Sequence, residues 1–178
     1  AVRFATVQGF LAAEAPSDLR GVLMMLAASP DFADARPKQG QKAQLREWAK
    51  KAVRWPCKEV VDTAAKKVSV LLQLALADPP RPQLPWDLKA QQQQLLQRGD
   101  SQLRLLVEIF KCRQQGPQLV EALMLKKCLK RRIWEDTSLE VRQLQYIGDA
   151  NAQRLQAVGL GSLSALAAGD PRQIEFAC

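Results

Sequence analysis

The chain has 178 residues, 47% hydrophobic and only 6% aromatic, with 26 Lys and Arg against 18 Asp and Glu and no histidine. That length suits one domain, or one domain with a small appendage, and the net charge of +8 points to a polyanionic partner. The missing histidine removes the commonest general base and any Ser-His or Cys-His nucleophile, and no apolar run nears the ~20 residues that span a bilayer.

Leu, Ala, Gln, Lys and Arg dominate, which favours helices over sheets. The expected fold is therefore all-α: a multi-helix bundle over residues 1–134, then a small helix-hairpin-helix module over 135–178 that is truncated at its C-terminal end. Phe4–Glu14 reads as a helix with Phe4, Val7, Phe10 and Leu11 on its inner side. Pro16 stops it, and Ser17 or Asp18 caps the next helix, Leu19–Ala28, whose core face is Leu19, Val22, Leu23 and Leu26. Ser29-Pro30-Asp31-Phe32 is another stop-and-start signal. Between Arg36 and Lys67, ten basic residues oppose three acidic ones. Within that stretch Gln41–Val53 is a helix with Leu45, Trp48 and Ala49 inward, broken by Arg54-Trp55-Pro56. Glu59–Ala77 follows as a long helix, and its second half, VSVLLQLALA, is apolar nearly all round, as at the centre of a bundle.

Asp78–Pro85, with four prolines, is a rigid extended linker expected to cross the bundle surface. Trp86-Asp87 opens a helix running to Arg113, with Asp87 as its cap. Its first half is polar on every side, through Gln91–Gln94, Gln97 and Arg98, whereas Leu103–Phe110 is apolar. Gly99 inside it costs about 1 kcal/mol, which suggests a kink or a close approach. The glutamines read either as a solvated face or as a polar lining whose amides contact sugar, phosphate or base edges. The next helix is Gln118–Trp134, with Ala122, Leu125, Leu129 and Ile133 as its buried stripe. Lys126, Lys127, Lys130 and Arg131 fall at i, i+1, i+4 and i+5, together on another face. That face is either solvated or set against phosphates.

Two further apolar-periodic segments, Leu139–Leu144 and Ala150–Val158, flank an Ile147-Gly148-Asp149 turn. Glu135-Asp136 reads as the cap of the first. A Gly159-Leu160-Gly161 turn leads to a third segment, Ser162–Ala168, stopped by Gly169-Asp170-Pro171. Helix, turn, helix, turn, helix is the layout of a helix-hairpin-helix module, whose hairpin N–H groups can hold a phosphate at a helix N-terminus. The candidate hairpin residues are Tyr146, Ile147 and Gly148. Where such hairpins read apolar-Pro-Gly-apolar-Gly, this chain has Leu144-Gln145-Tyr146-Ile147-Gly148, without the proline and the first glycine. Tyr146 is expected in the core of the module, with stacking on a base as the alternative.

No Gly-x-x-x-x-Gly-Lys-Ser/Thr phosphate loop occurs and no carboxylates pair for acid–base work, so the chain is not read as a catalytic unit. It is expected to hold no cofactor and no metal. Its cysteines, Cys57, Cys112, Cys128 and Cys178, lack a Cys-x-x-Cys pair and read as buried reduced thiols. It begins without Met, shows no signal peptide and stops inside a further segment, so it reads as part of a longer protein.

The succession of a basic helix, Ile133-Trp134-Glu135-Asp136, Val141-Arg142-Gln143-Leu144, Ile147-Gly148 and Asp170-Pro171-Arg172 resembles the Sec63 homology region of large superfamily-two helicases. Upstream, Ser29-Pro30-Asp31-Phe32 with Arg36, Arg54-Trp55-Pro56, and Lys58-Glu59 followed by Lys67-Val68 agree with it. Within that group the chain looks most like the meiotic crossover helicases of the Mer-three type, over nearly its whole length. The resemblance implies that one long helix, by position 87–113, lies as a ratchet against the single strand leaving the motor. Gln94, Arg98 and Gln102 are then the strand-facing residues, and Lys126, Lys127, Lys130 and Arg131 a second DNA-binding face. It further implies ATP and Mg²⁺ in the motor domains of the parent protein, and an immunoglobulin-like module downstream. The implied partners are single-stranded or branched DNA, the motor domains in the same polypeptide, and meiotic recombination or mismatch-repair-type proteins, in the nucleus and without a membrane. The expected function is an accessory, nucleic-acid-guiding domain of an ATP-dependent meiotic DNA helicase that supports unwinding of recombination intermediates. The alternative is a protein-interaction scaffold of a related RNA-remodelling helicase of the spliceosomal type.

Overall fold

The structure is a computed structural model that describes residues 2–177, and every regular element among them is helical. In chain order these are α1 (Phe4–Ala12), α2 (Leu19–Ala27), α3 (Lys42–Lys51), α4 (Ala64–Leu76), α5 (Trp86–Cys112), α6 (Gly116–Arg131), α7 (Asp149–Ala157), α8 (Leu163–Ala168) and α9 (Pro171–Ala177). Short 3-10 turns occupy Pro30–Phe32, Gln39–Gln41 and Glu140–Gln143. The chain divides into two compact units: the residues up to Ala77 with Arg81–Arg132, and Asp78–Pro80 with the residues from Ile133 onward. Among the described residues no helix is long and apolar enough to cross a membrane.

In the larger unit α4 is the central rod. Ten successive residues, Lys67 to Leu76, are buried, and α2, α3, α5 and α6 all pack on it. A helix apolar on every side is stable only where neighbours cover every side. Its buried polar groups are partnered, as buried polar groups must be. Gln73 donates from Nε2 to Ser69 Oγ at 3.2 Å and accepts the Trp55 N–H on Oε1 at 2.9 Å. α4 begins at Ala64, five residues later than the pattern suggested. Thr63 Oγ1 caps it by accepting the Lys66 N–H at 3.3 Å, and the preceding Glu59 and Asp62 fold back onto Lys66 Nζ at 2.8 and 3.1 Å. That double pairing, with Glu59 foremost, raises the Lys66 ammonium to about 12, and Lys66 in turn lowers the Asp62 carboxyl.

α2 buries the expected Leu19, Val22, Leu23 and Leu26, with Asp18 as its cap: Oδ1 accepts the Gly21 N–H at 2.7 Å. α3 buries Leu45, Trp48 and Ala49, also as expected. α1 does not follow its apolar pattern. Phe4 and Leu11, expected inside, are exposed, and Thr6 and Phe10 take the inner face. Thr6 Oγ1 lies 3.3 Å from Ser29 Oγ, and this polar contact turns the helix away from its most hydrophobic side.

α5 and α6 form the most extensive helix pair. Asp87 does not cap α5. Pro85 holds that position, and Asp87, in the first turn, accepts from Gln41 Nε2 at 2.7 Å. Gly99 is buried within a continuous helix, without the expected kink, and a Cβ there would make only ordinary van der Waals contacts, 3.6 Å from Leu129 Cδ1 and 3.7 Å from Leu26 Cδ2. Of the cysteines, Cys128 is buried and Cys57 half-buried as thiols, whereas Cys112 is exposed at the end of α5, against the expectation; Cys178 lies outside the described residues.

The smaller unit has its own core of Leu139, Val141, Ala152, Leu155, Leu160 and Ala177, with Ile147, Leu166 and Ile174 packed against it. The helix expected over Leu139–Leu144 is instead the 3-10 turn Glu140–Gln143. Its Arg142 is clamped between Asp78 Oδ1 at 3.0 Å and Asp149 Oδ1 at 2.8 Å, which fixes the backbone before an α-helical turn can develop. Thr137 steadies its start by accepting the Leu139 N–H on Oγ1 at 3.1 Å. α7 ends on Gly159 at φ +82°, a conformation that suits glycine. Ser162 caps α8, and Glu140 Oε2 takes the Leu163 N–H at 3.1 Å.

Candidate nucleic-acid interface

The three sequence-predicted residues of α5 do not share one line. Each four-residue step along an α-helix advances the side chain by about 40°, so Gln102 lies about 80° round the axis from Gln94. That rotation carries it into the bundle. Gln102 is 1% exposed, and its Nε2 donates to Asp31 Oδ2 at 3.2 Å. This corrects the sequence reading: Gln102 is a buried strut and not a strand-facing side chain. Asp31, itself buried, also accepts the Arg3 backbone N–H and pairs with the Arg3 guanidinium, both at 3.5 Å.

Gln94 and Arg98 are exposed, Arg98 with Nη1 3.5 Å from the Asp31 carbonyl. The outer stripe of α5 continues through Gln97, Ser101, Arg104 and Glu108, all exposed. Gln97 is one of the glutamines that the sequence offered as a polar lining, but neither it nor Ser101 was singled out with Gln94 and Arg98. The signal that groups them is alternation of three- and four-residue steps, which keeps to one face where a fixed step of four drifts off it.

Each flank of this stripe is concave. On one side Arg3, Asp31, Gln97, Arg98 and Ser101 line a polar recess of about 410 Å³. On the other, Arg104 of α5 meets Lys126 and Lys130 of α6 over a floor of Leu96 and Leu129, in a smaller groove of about 250 Å³. Asp100, on the groove wall, pairs with Arg104 at 2.7 Å. Lys127 and Arg131 are exposed but do not line this groove. The four-residue basic face is thus divided, with Lys126 and Lys130 turned toward α5. A further run of exposed cations, Lys42, Arg46, Lys50 and Lys51, follows α3, and the Arg54 guanidinium lies 5.3 Å from the Trp55 ring centroid.

The hairpin residues are arranged differently from the expectation. Tyr146 is 90% exposed at φ +70°, so it does not fill the core; Ile147, half-buried, does. Gly148 precedes α7, but the first residue of that helix is Asp149, whose carboxylate holds Arg142. A carboxylate already sits at the positive end of α7 and opposes a second anion there.

The family model for the Sec63 Brl domain matches residues 1–174. The chain belongs to this family. Among curated proteins, this Sec63 Brl domain is 26% identical to the ATP-dependent DNA helicase MER3 of Saccharomyces cerevisiae over 98% of its length. It is 28% identical over 66% of its length to the MER3 homolog of Oryza sativa, and 24% identical over 98% to the probable ATP-dependent DNA helicase HFM1 of Mus musculus. It spans only 16%, 10% and 12% of those proteins. What the Sec63 Brl domain itself offers is fixed charge: cations from two packed helices beside a strip of amides and a hydroxyl. Such a surface attracts a polyanion by an interaction that salt weakens.

Proposed function

We propose that this Sec63 Brl domain guides a single DNA strand within an ATP-dependent DNA helicase of the meiotic crossover type. The strand lies along the outer stripe of α5, with Gln94, Gln97 and Ser101 against sugars and base edges. Its phosphates rest on Arg98 on one side and on Arg104, Lys126 and Lys130 on the other. ATP and Mg²⁺ act in motor domains of the parent polypeptide, in the nucleus, on recombination intermediates. The observation that carries this reading is the convergence of α5 and α6 cations on one edge of the polar stripe, within a chain related along its length to DNA helicases.

The test is binding of the chain to a labelled single-stranded oligonucleotide, followed by anisotropy across a salt series. Each lost phosphate contact on a single strand lowers the log–log salt slope by about 0.7, so Lys126→Glu with Lys130→Glu is expected to weaken binding and to flatten the slope by about 1.4. Unchanged affinity and slope overturn the reading and leave an acidic protein surface as the partner of this face.

A further inference from the structure

The outer face of α3 takes no part in the strand-guiding surface. The exposed residues of this helix are Lys42, Ala43, Arg46, Glu47, Lys50 and Lys51. Glu47, its one acid, pairs with Lys51 at 3.5 Å. The side chains of Lys42, Arg46 and Lys50 make no hydrogen bond or ion pair among the described residues.

These three cations project from a fixed rod. Leu45, Trp48 and Ala49 bury the inner face of α3, which packs on α4, and the Ala49 carbonyl accepts the Cys57 N–H at 2.8 Å. From Lys42 to Lys50 the row advances ~12 Å along the axis and turns by about 80° round it. It is therefore a fan, and all of it is exposed. Like charges held close together repel, and a polyanion relieves that repulsion.

The other side chains of the face decide which polyanion fits. Protein interfaces are centred on large side chains set into pockets and are poor in lysine. The fan has no such anchor, because Trp48, the one aromatic residue of α3, is buried. A helix that binds an anionic membrane surface inserts its apolar face, and that of α3 is spent on α4. A single strand stacks its bases on aromatic rings, and the fan presents none. The complementary partner offers phosphates alone and keeps its bases turned inward. A nucleic-acid duplex does so, with one charge per ~1.7 Å of its axis.

We propose that Lys42, Arg46 and Lys50 bind the backbone of duplex DNA, without regard to its sequence. The proposal rests on the chain acting on DNA, but not on the α5 stripe. Single strand and duplex then occupy different faces of the larger unit.

The experiment is anisotropy of the chain with a short, labelled, blunt-ended DNA duplex and with one of its strands alone, each across a salt series. Lys42→Gln, Arg46→Gln and Lys50→Gln are combined in one variant, whose helix content is checked by circular dichroism. Each lost phosphate contact lowers the log–log salt slope on duplex by about 0.9, so the triple variant is expected to flatten it by about 2.7 and to weaken duplex binding about tenfold at low salt. Its single-strand affinity is expected to stay as it was. Lys126→Glu with Lys130→Glu, which changes the net charge by more than the triple does, is expected to spare the duplex. Single-strand binding indifferent to that pair overturns the strand reading and leaves this one standing. Duplex affinity and slope unchanged in the triple variant overturn the proposal. So does an equal loss on both probes, or an equal loss of duplex binding in the α6 pair, since either reports overall charge. Displacement of the duplex by polyglutamate at equal charge concentration also overturns it, in favour of an acidic protein.

Discussion

Gln102 Nε2 lies 3.2 Å from Asp31 Oδ2 with both side chains buried, and this one hydrogen bond ties the middle of α5 to the turn between α2 and α3. The Gln102 Oε1 is already buried without a hydrogen-bond partner. Removing the acceptor in Asp31→Ala leaves the donor unpaired as well. The expected loss is about 1–3 kcal/mol in urea unfolding.

The same geometry separates two neighbours on α5. Gln102→Ala is expected to lower stability while leaving single-strand affinity unchanged, since the side chain is covered. Ser101→Glu, on the exposed stripe, is expected to do the reverse by placing a charge against the phosphates. Parallel unfolding and anisotropy measurements on the two variants check the assignment. A strand affinity that follows Gln102 and ignores Ser101 contradicts it.

Gly99 sits in the interior of a 27-residue helix, yet a methyl group there meets only ordinary van der Waals contacts. Gly99→Ala is therefore expected to stabilise the bundle by about 0.5–1 kcal/mol, the usual difference in helix propensity, and to shift the urea midpoint upward. Destabilisation shows that Leu26 and Leu129 cannot accommodate the methyl group.

Lys67 is the buried cation of α4. Its Nζ donates to Gln41 Oε1 at 2.8 Å and lies 3.5 Å from the Arg36 carbonyl. Burial holds its pKa below 10.5; Asp87 opposes the shift and Lys38 adds to it. The unfolded chain therefore keeps this proton to higher pH than the folded one, and stability climbs with pH from the folded value up to about 10.5. Lys67→Met is expected to abolish that climb. Lys66 works in the opposite sense: its contribution is full below 10.5 and lost as pH rises through about 12. Lys66 is present in both proteins, so the difference between their stability–pH curves isolates Lys67. Coincident curve shapes refute the assignment.

Tyr146 carries a side chain in the left-handed region, where it costs roughly 1–2 kcal/mol, and the ring buries almost nothing. Tyr146→Gly is expected to raise stability by about 1 kcal/mol in thermal or urea unfolding. A core tyrosine replaced in this way costs several kcal/mol instead, so the sign of the change decides between the two placements.

Local spacing carried most of the fold. The all-helical class, the inner faces of α2, α3 and α6, and the central place of α4 were legible because those segments are apolar at helical intervals or all round, and burial follows wherever the partners lie. The basic character of α6 and the polar character of the first half of α5 were equally plain from the order of residues. Which way α1 and α5 turn was not. The first half of α5 looks polar because glutamines outnumber its apolar residues, yet Leu88, Leu95 and Leu96 are buried and set its inner face; Gln92 and Gln102 fall on that same face and are held there by the Leu71 carbonyl and Asp31. α1 is turned likewise by the contact of Thr6 with Ser29, against its own phenylalanine and leucine. The 3-10 turn at Glu140–Gln143 has the same origin, since Arg142 is held by Asp78, 64 residues back in the chain. The amino-acid order by itself determined that a basic helical body with a polar rod exists. Only tertiary packing decided which amides that rod shows to solvent, because a glutamine that falls on the leucine face stays buried only where a distant group satisfies its hydrogen bond.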